Sequence, residues 1–155
     1  MIFGNSGSGK STLANRLAAA SGLVHLDLDV IAWLPGVPPR RRPLDDSAAD
    51  LTAFMDAWPA WVIEGCYADL LALAAQRCTR LIFLNPGVEA CVANATRRPF
   101  EPHKYATREA QDANLEVLIA WIRDYETRAD AMSLAAHRRL FDGFTGDKIE
   151  LGPPG

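Results

Sequence analysis

Near the amino end the chain reads Gly4-Asn5-Ser6-Gly7-Ser8-Gly9-Lys10-Ser11-Thr12, and the reading of this stretch decides the fold. A secretory leader would place a positive charge ahead of an apolar run of roughly 7–15 residues. Here only Met1, Ile2 and Phe3 precede the glycines, and the first Lys follows them. Downstream, Lys10 to Ala20 is rich in helix formers, with Leu13 and Leu17 one turn apart. The segment therefore reads as strand, glycine-rich loop, helix. In that setting Gly4, Gly9, Lys10 and Ser11 fill the fixed positions of G-x-x-x-x-G-K-[ST]. Such a loop turns successive backbone N–H groups inward, and the helix start adds its positive end, which together hold phosphate. Residues Gly4 to Thr12, with Asn5, Ser6, Gly7 and Ser8 between the fixed positions, are the expected cradle for a nucleoside triphosphate. Lys10 is expected to reach the β- and γ-phosphates and Ser11 to ligate Mg²⁺.

Met1 to Phe3 is short for a buried parallel strand, which usually has about 5–6 residues. Either the natural start lies upstream of Met1 or the strand is clipped at its amino end. The remaining chain alternates. Leu23 to Asp29 is β-prone, and four prolines with Arg40-Arg41-Arg42 make Pro35 to Pro43 an exposed loop. Ser47 and Asp50 form a capping-box pattern ahead of Leu51, Phe54, Met55 and Trp58, whose spacing predicts a helix with Trp58 on its core face. Trp61 to Gly65 is a strand, Ala68 to Gln76 a helix, Thr79 to Leu84 a strand and Val88 to Arg98 a helix. Leu115, Leu118, Ile119 and Ile122 mark one long helix, and Lys148 to Leu151 a last strand. Strands trading places with helices imply a parallel sheet covered on both faces, and the right-handed crossover narrows it to a doubly wound order. In such sheets ligands sit beyond the carboxyl ends of the strands.

The expected fold is thus α/β: a three-layer α/β/α P-loop domain over residues 1–155, with a five-stranded parallel sheet, an acceptor-side region at about 30–60 and a small lid at about 97–110. With 49% hydrophobic and 23% charged residues the composition is that of a globular protein. A net charge of −3 gives no reason to expect a nucleic-acid or anionic-membrane surface. No run approaches the 18 or so apolar residues of a membrane span. The expectation is a cytoplasmic monomer or homodimer. Cys66, Cys78 and Cys91 show no C-x-x-C pair, so neither a disulfide framework nor a zinc site is expected. Cys78 and Cys91 read as core thiols.

Asp27 and Asp29 alternate on one strand and face the same way if the strand persists, a pair suited to Mg²⁺ and to an acceptor hydroxyl, with Asp29 the better base; alternatively, one of them caps the next helix. Glu64 ends an apolar strand where phosphate-loop proteins commonly hold Mg²⁺ through water. Gly65 and Tyr67 follow and are expected, with Trp33, to line the acceptor pocket. Cys66 is adjacent but lacks a visible base. Arg97, Arg98, Lys104 and Arg108 surround the polar stretch 99–107, a candidate lid whose cations would meet the transferring phosphoryl group. His103 is expected to hydrogen-bond within that lid, and His25 and His137 to be structural.

Taken together, GNSGSGKST, HLDLDVIAWLPG, WVIEGCYADL and LIFLNPG resemble the P-loop small-molecule and nucleoside-monophosphate kinases over nearly the whole chain. Within them the chain looks most like the adenylate-kinase-like branch often labelled topology modulation proteins. The resemblance implies ATP or another NTP on Gly4 to Ser11, Asp27 and Asp29 where shikimate-kinase-like enzymes place an Asp pair for Mg²⁺ and the acceptor, Glu64 and Gly65 at the acceptor-side strand end, and Arg97, Arg98 and Arg108 as lid arginines. It implies a small-molecule phosphoryl acceptor as partner. Two departures stand out: Glu64-Gly65-Cys66-Tyr67 replaces the Asp-Gly-Asn-Tyr of related sequences, and Asn85 replaces a strand Asp. The other class to weigh is a regulatory ATPase switch acting on a protein or nucleic acid, for which the sequence offers no clear basic face.

Overall fold

The computed structural model describes residues 1–36, 38–102 and 105–153. Its centre is β1 (Ile2–Gly4), flanked by β5 (Trp61–Gly65) and β6 (Arg80–Leu84), with β2 (Val24–Asp27) and β7 (Asp147–Leu151) outermost. All five strands run parallel in the order β2-β5-β1-β6-β7. Alternation along the central strands sends Ile2, Val62, Ile82 and Leu84 to one face and Phe3, Ile63, Leu81 and Phe83 to the other. The first set packs under Leu13 and Leu17 of α1 (Lys10–Ser21). The second packs with Leu51 and Met55 of α3 (Leu44–Ala57), Leu70 and Leu71 of α4 (Ala68–Ala75) and Leu140 of α8 (Leu134–Gly143). This is the three-layer, doubly wound P-loop arrangement. Among the described residues no helix is long and apolar enough to cross a membrane.

Register fixes the site. Asp27 lies opposite Glu64, and Glu64 opposite Ile2, so the carboxyl ends of β2 and β5 come level with the start of the phosphate loop. Beyond β6, α5 (Val88–Thr96) packs Cys91 and Ala95 against Ile122 of α7 (Leu115–Arg123).

Several local expectations are corrected. The β2 strand stops at Asp27, and Asp29 opens the short helix α2 (Asp29–Ala32), because the Asp27 carboxylate accepts the Asp29 backbone N–H at 2.9 Å. The two carboxylates therefore do not alternate on a continuing strand; Asp27 caps the start of α2. The proline-rich loop contains a small antiparallel ribbon, β3 (Trp33–Leu34) with β4 (Arg40–Arg41). Helix α3 begins at Leu44 after Pro43, and Ser47 is not its cap: buried, it donates to the Ile31 carbonyl at 2.7 Å. Trp58 follows the last turn of α3 with 46% of its surface exposed, since the extended backbone there turns it off the apolar stripe. The long helix is two, α6 (Arg108–Ala113) and α7, meeting at Asn114. Helix α8 has no counterpart among the sequence expectations, although Leu134, Leu140 and Phe141 share its core face and Ser133 caps its start.

That helix carries a buried His137. Its Nδ1 meets the Tyr125 hydroxyl at 2.6 Å, its Nε2 meets the Cys66 carbonyl at 2.8 Å, and Phe3 and Phe83 present their rings at right angles to it. Burial, more than the Cys66 carbonyl can offset, lowers its pKa from 6.5 to about 4. Between those two values the unfolded chain binds a proton that the folded chain refuses, so stability falls as the pH is lowered through this window. We expect urea unfolding free energy to drop by about 3 kcal/mol from this group between pH 7 and pH 4. His137→Gln should flatten that part of the profile; an unchanged pH dependence would show that His137 titrates normally.

Candidate active site

The loop at residues 4–9 is fixed by close contacts that only glycine permits. A Cβ at Gly4 would lie 2.1 Å from the Leu84 carbonyl oxygen, and one at Gly7, where φ is +77°, would lie 2.3 Å from the Cys91 carbonyl. Hydrogen bonds to two helices then hold the curl. Asn5 Nδ2 donates to the Ile122 carbonyl at 3.0 Å, and Asn94 Nδ2 donates to the Gly7 carbonyl at 2.9 Å. Helix α1 starts at Gly9 with no side-chain cap and no acidic residue in its first turn. A helix start leaves backbone N–H groups without internal partners, so this one presents donors and partial positive charge to an anion. Lys10 Nζ bends back over the loop to the Asn5 carbonyl at 2.9 Å. The Ser8 hydroxyl is buried without a hydrogen-bond partner.

Ser11 Oγ donates to Glu64 Oε1 at 2.6 Å, joining the loop to β5. Glu64 is 1% exposed, and His25 Nε2 lies 3.7 Å from the same oxygen. Burial pushes the Glu64 carboxyl up, but the His25 ring, the Lys10 ammonium and the Ser11 hydroxyl together outweigh it and hold it below the usual carboxylate value. Glu64 is therefore ionised beside the phosphate cradle. Its oxygens, the Ser11 hydroxyl and the in-register Asp27 are hard donors of the kind Mg²⁺ selects. Among the described residues no group of three or more His, Cys, Asp and Glu side chains could hold a metal by itself. Mg²⁺ is usually held by one or two carboxylates plus phosphates and water.

A second cluster adjoins this one. Trp33 Nε1 donates to Tyr67 Oη at 2.6 Å, and Tyr67 Oη donates to Asp29 Oδ1 at 2.6 Å. Arg41 lies over the Tyr67 ring at 4.7 Å and pairs with Asp69 at 3.1 Å. The arginine run is thus not wholly solvated, because the β3–β4 ribbon turns Arg41 inward. Gly65 is required by packing: a Cβ there would lie 2.9 Å from the Leu28 side chain. Burial pushes the Cys66 thiol up to about 12, so it stays protonated and is no nucleophile.

A cavity of about 600 Å³ opens beside the loop and is bordered by Lys10, Thr12, Arg16, Asn94, Arg97 and Arg98. Arg97 and Arg98 thus reach the phosphate loop, Arg98 pairing with Glu101 at 3.1 Å. Arg108 does not border this cavity; it pairs with Asp112 one turn along α6, both side chains more than half exposed. His103 and Lys104, expected in the lid, lie outside the described residues. A groove of about 740 Å³ between α4 and α8, lined by alanines, Leu140 and Phe144, touches none of the expected site residues.

A family model described as an AAA domain matches residues 1–142. The chain belongs to the AAA domain family. Its P-loop fold is shared with a sugar kinase from Janibacter sp. HTCC2649, which is 17% identical with a TM-score of 0.53 over 97% of this chain and 82% of that one. An uncharacterised protein from Eubacterium ventriosum is 15% identical with a TM-score of 0.47, covering 97% and 87%. Shikimate kinase from Acinetobacter baumannii, solved with shikimate, is 20% identical with a TM-score of 0.46, covering 90% and 88%. No curated protein matches the sequence significantly.

Arg16 and Asn94 are not singled out by the sequence; His25, expected to be structural, lies beside Glu64, and Arg41, read within an exposed proline loop, lies on Tyr67. His25 has a usable signal, since it alternates with Asp27 on one strand. Asn94 has another, a polar residue one turn after Cys91 and next to Ala95 on a largely apolar helix. We expect Gly7→Ala to reduce binding of a fluorescent ATP analogue at least tenfold, because the added methyl must displace the loop from Cys91. Its far-UV circular dichroism should be retained. Binding within twofold of wild type would mean that the loop geometry is not what holds nucleotide.

Proposed function

We propose that this protein is an ATP- and Mg²⁺-dependent phosphotransferase for a small hydroxyl- or phosphate-bearing acceptor. The observation that carries this reading is the 2.6 Å bond from Ser11 to the ionised, buried Glu64, which brings the donor loop against the acidic strand ends. Gly4 to Thr12 cradle the phosphates, and Lys10 swings from the Asn5 carbonyl onto the β- and γ-oxygens. Ser11, Glu64 and Asp27 would hold Mg²⁺, which would supply neutralisation of the phosphate charge.

Phosphoryl transfer asks the protein for alignment and charge stabilisation, with no covalent nucleophile. The acceptor lies near Asp29, Trp33, Gly65 and Tyr67. With a hydroxyl acceptor, its oxygen forms the new bond to the γ-phosphorus, the bond to the β–γ bridging oxygen breaks with its electron pair leaving on the diphosphate, and the proton passes to Asp29. Arg97 and Arg98, which border the cavity beside the phosphate loop, spread the developing charge. The kinase fold of the Janibacter protein and the L-D-x-D and W-x-I-x-G-x-Y patterns support this reading, and on those patterns we assign the chain to the adenylate-kinase-like branch.

Incubation of the protein with γ-labelled ATP and a pool of cytoplasmic metabolites tests it. We expect a labelled product with wild type and a loss of at least a thousandfold with Lys10→Ala or Asp29→Asn, the fold being retained. Label released only as free phosphate, at a rate indifferent to the pool, would favour a regulatory ATPase switch.

A further inference from the structure

The hydrogen-bond chain Trp33–Tyr67–Asp29 has a direction that chemistry imposes. An indole N–H can only donate, so at 2.6 Å Tyr67 Oη must be its acceptor. The phenol has one hydrogen, and with the indole on its lone pair that hydrogen points to Asp29 Oδ1, also at 2.6 Å. A carboxylate only accepts, which completes the order donor to relay to acceptor. Everything around Tyr67 fixes this arrangement. The residue is 2% exposed, the Trp33 ring meets its ring edge-on at 6.1 Å, and the Arg41 guanidinium covers its face. Burial raises the phenol's pKa, so it keeps the proton it donates.

The expectation that Tyr67 lines the acceptor pocket is therefore incomplete, because its polar atom is already committed. We propose that Tyr67 is a positioning residue: oriented by Trp33, it clamps one oxygen of Asp29 so that the carboxylate is held where an acceptor hydroxyl would meet it. The role rests on the phosphotransferase reading. Asp29 opens the four-residue helix α2, and the Asp27 carboxylate accepts its backbone N–H. Tyr67 comes from the far end of β5, so the clamp ties α2 to the strand that carries Glu64. A charge-assisted hydrogen bond of this kind is worth about tenfold in an equilibrium or a rate. The gain appears in turnover, not in binding of the donor, which the clamp does not touch.

Two measurements test the clamp. The first is the indole ¹H–¹⁵N spectrum of the ligand-free protein, with the Trp33 signal assigned by its loss in Trp33→Phe. Tyr67→Phe, which keeps the ring and the Arg41 contact, should move the Trp33 N–H upfield. Asp29→Asn should move it the same way by less, although residue 29 is one hydrogen bond removed from the indole. A Trp33 signal indifferent to Asp29→Asn overturns the chain. The second is transfer of γ-labelled phosphate into the metabolite pool at saturating pool concentration. Tyr67→Phe should slow transfer about tenfold with the KM for ATP unchanged, and Trp33→Phe should slow it by less. Transfer by Tyr67→Phe at the wild-type rate overturns the positioning role alone. No transfer by wild type, with the indole shifts as expected, overturns the phosphotransferase reading and the role with it, while the hydrogen-bond chain stands.

Discussion

The structure depends on the close approach of the residue 4–9 backbone to two carbonyl groups, Leu84 at the end of β6 and Cys91 on α5. No side chain fits between them, so the loop is pressed onto the sheet edge and onto a helix at once. Asn5 and Asn94 then convert that proximity into hydrogen bonds, one to α7 and one from α5. A flexible glycine-rich loop would lose much of its phosphate affinity to the cost of ordering itself. Here packing against Leu84 and Cys91 meets that cost during folding.

From that anchor the parallel register does the rest. Because β1 pairs with β5 and β5 with β2, the buried carboxylate of Glu64 comes beside Ser11, and Asp27 comes level with it. The lowered Glu64 carboxyl and the neutral, buried His137 show the same rule with opposite outcomes. Glu64 has three polar or cationic neighbours that together outweigh its burial, whereas for His137 the Cys66 carbonyl favours the charge but burial wins. The ionised group lies at the cradle; the neutral one fastens α8 to the carbonyl of Cys66, just past Glu64-Gly65.

The surroundings of Asp29 are built differently. A chain of side chains from β3, the segment after β5 and β4 helps to place it. Short ribbons and helices tolerate change more readily than the sheet beneath them.

What the sequence by itself determined was whatever depends on neighbours a few residues away: the phosphate loop, the alternation of strands with helices, and the strand ends that carry Asp27 and Glu64. Glycine spacing and hydrophobic periodicity express local backbone geometry, so they are legible in a linear string. What only the tertiary structure decided was the partner of each polar side chain. Ser47 has the spacing of a helix cap and is a buried donor to Ile31; Asp27 has the spacing of half a matched pair and caps α2; Arg41 sits in a charge run and lies on Tyr67. His25 reaches Glu64 across 39 positions of chain, and Asn94 reaches Gly7 across 87. Hydrogen bonds and ion pairs act over about 3–4 Å irrespective of separation along the chain, and no periodicity in the sequence records which distant residues the folded sheet will bring within that range.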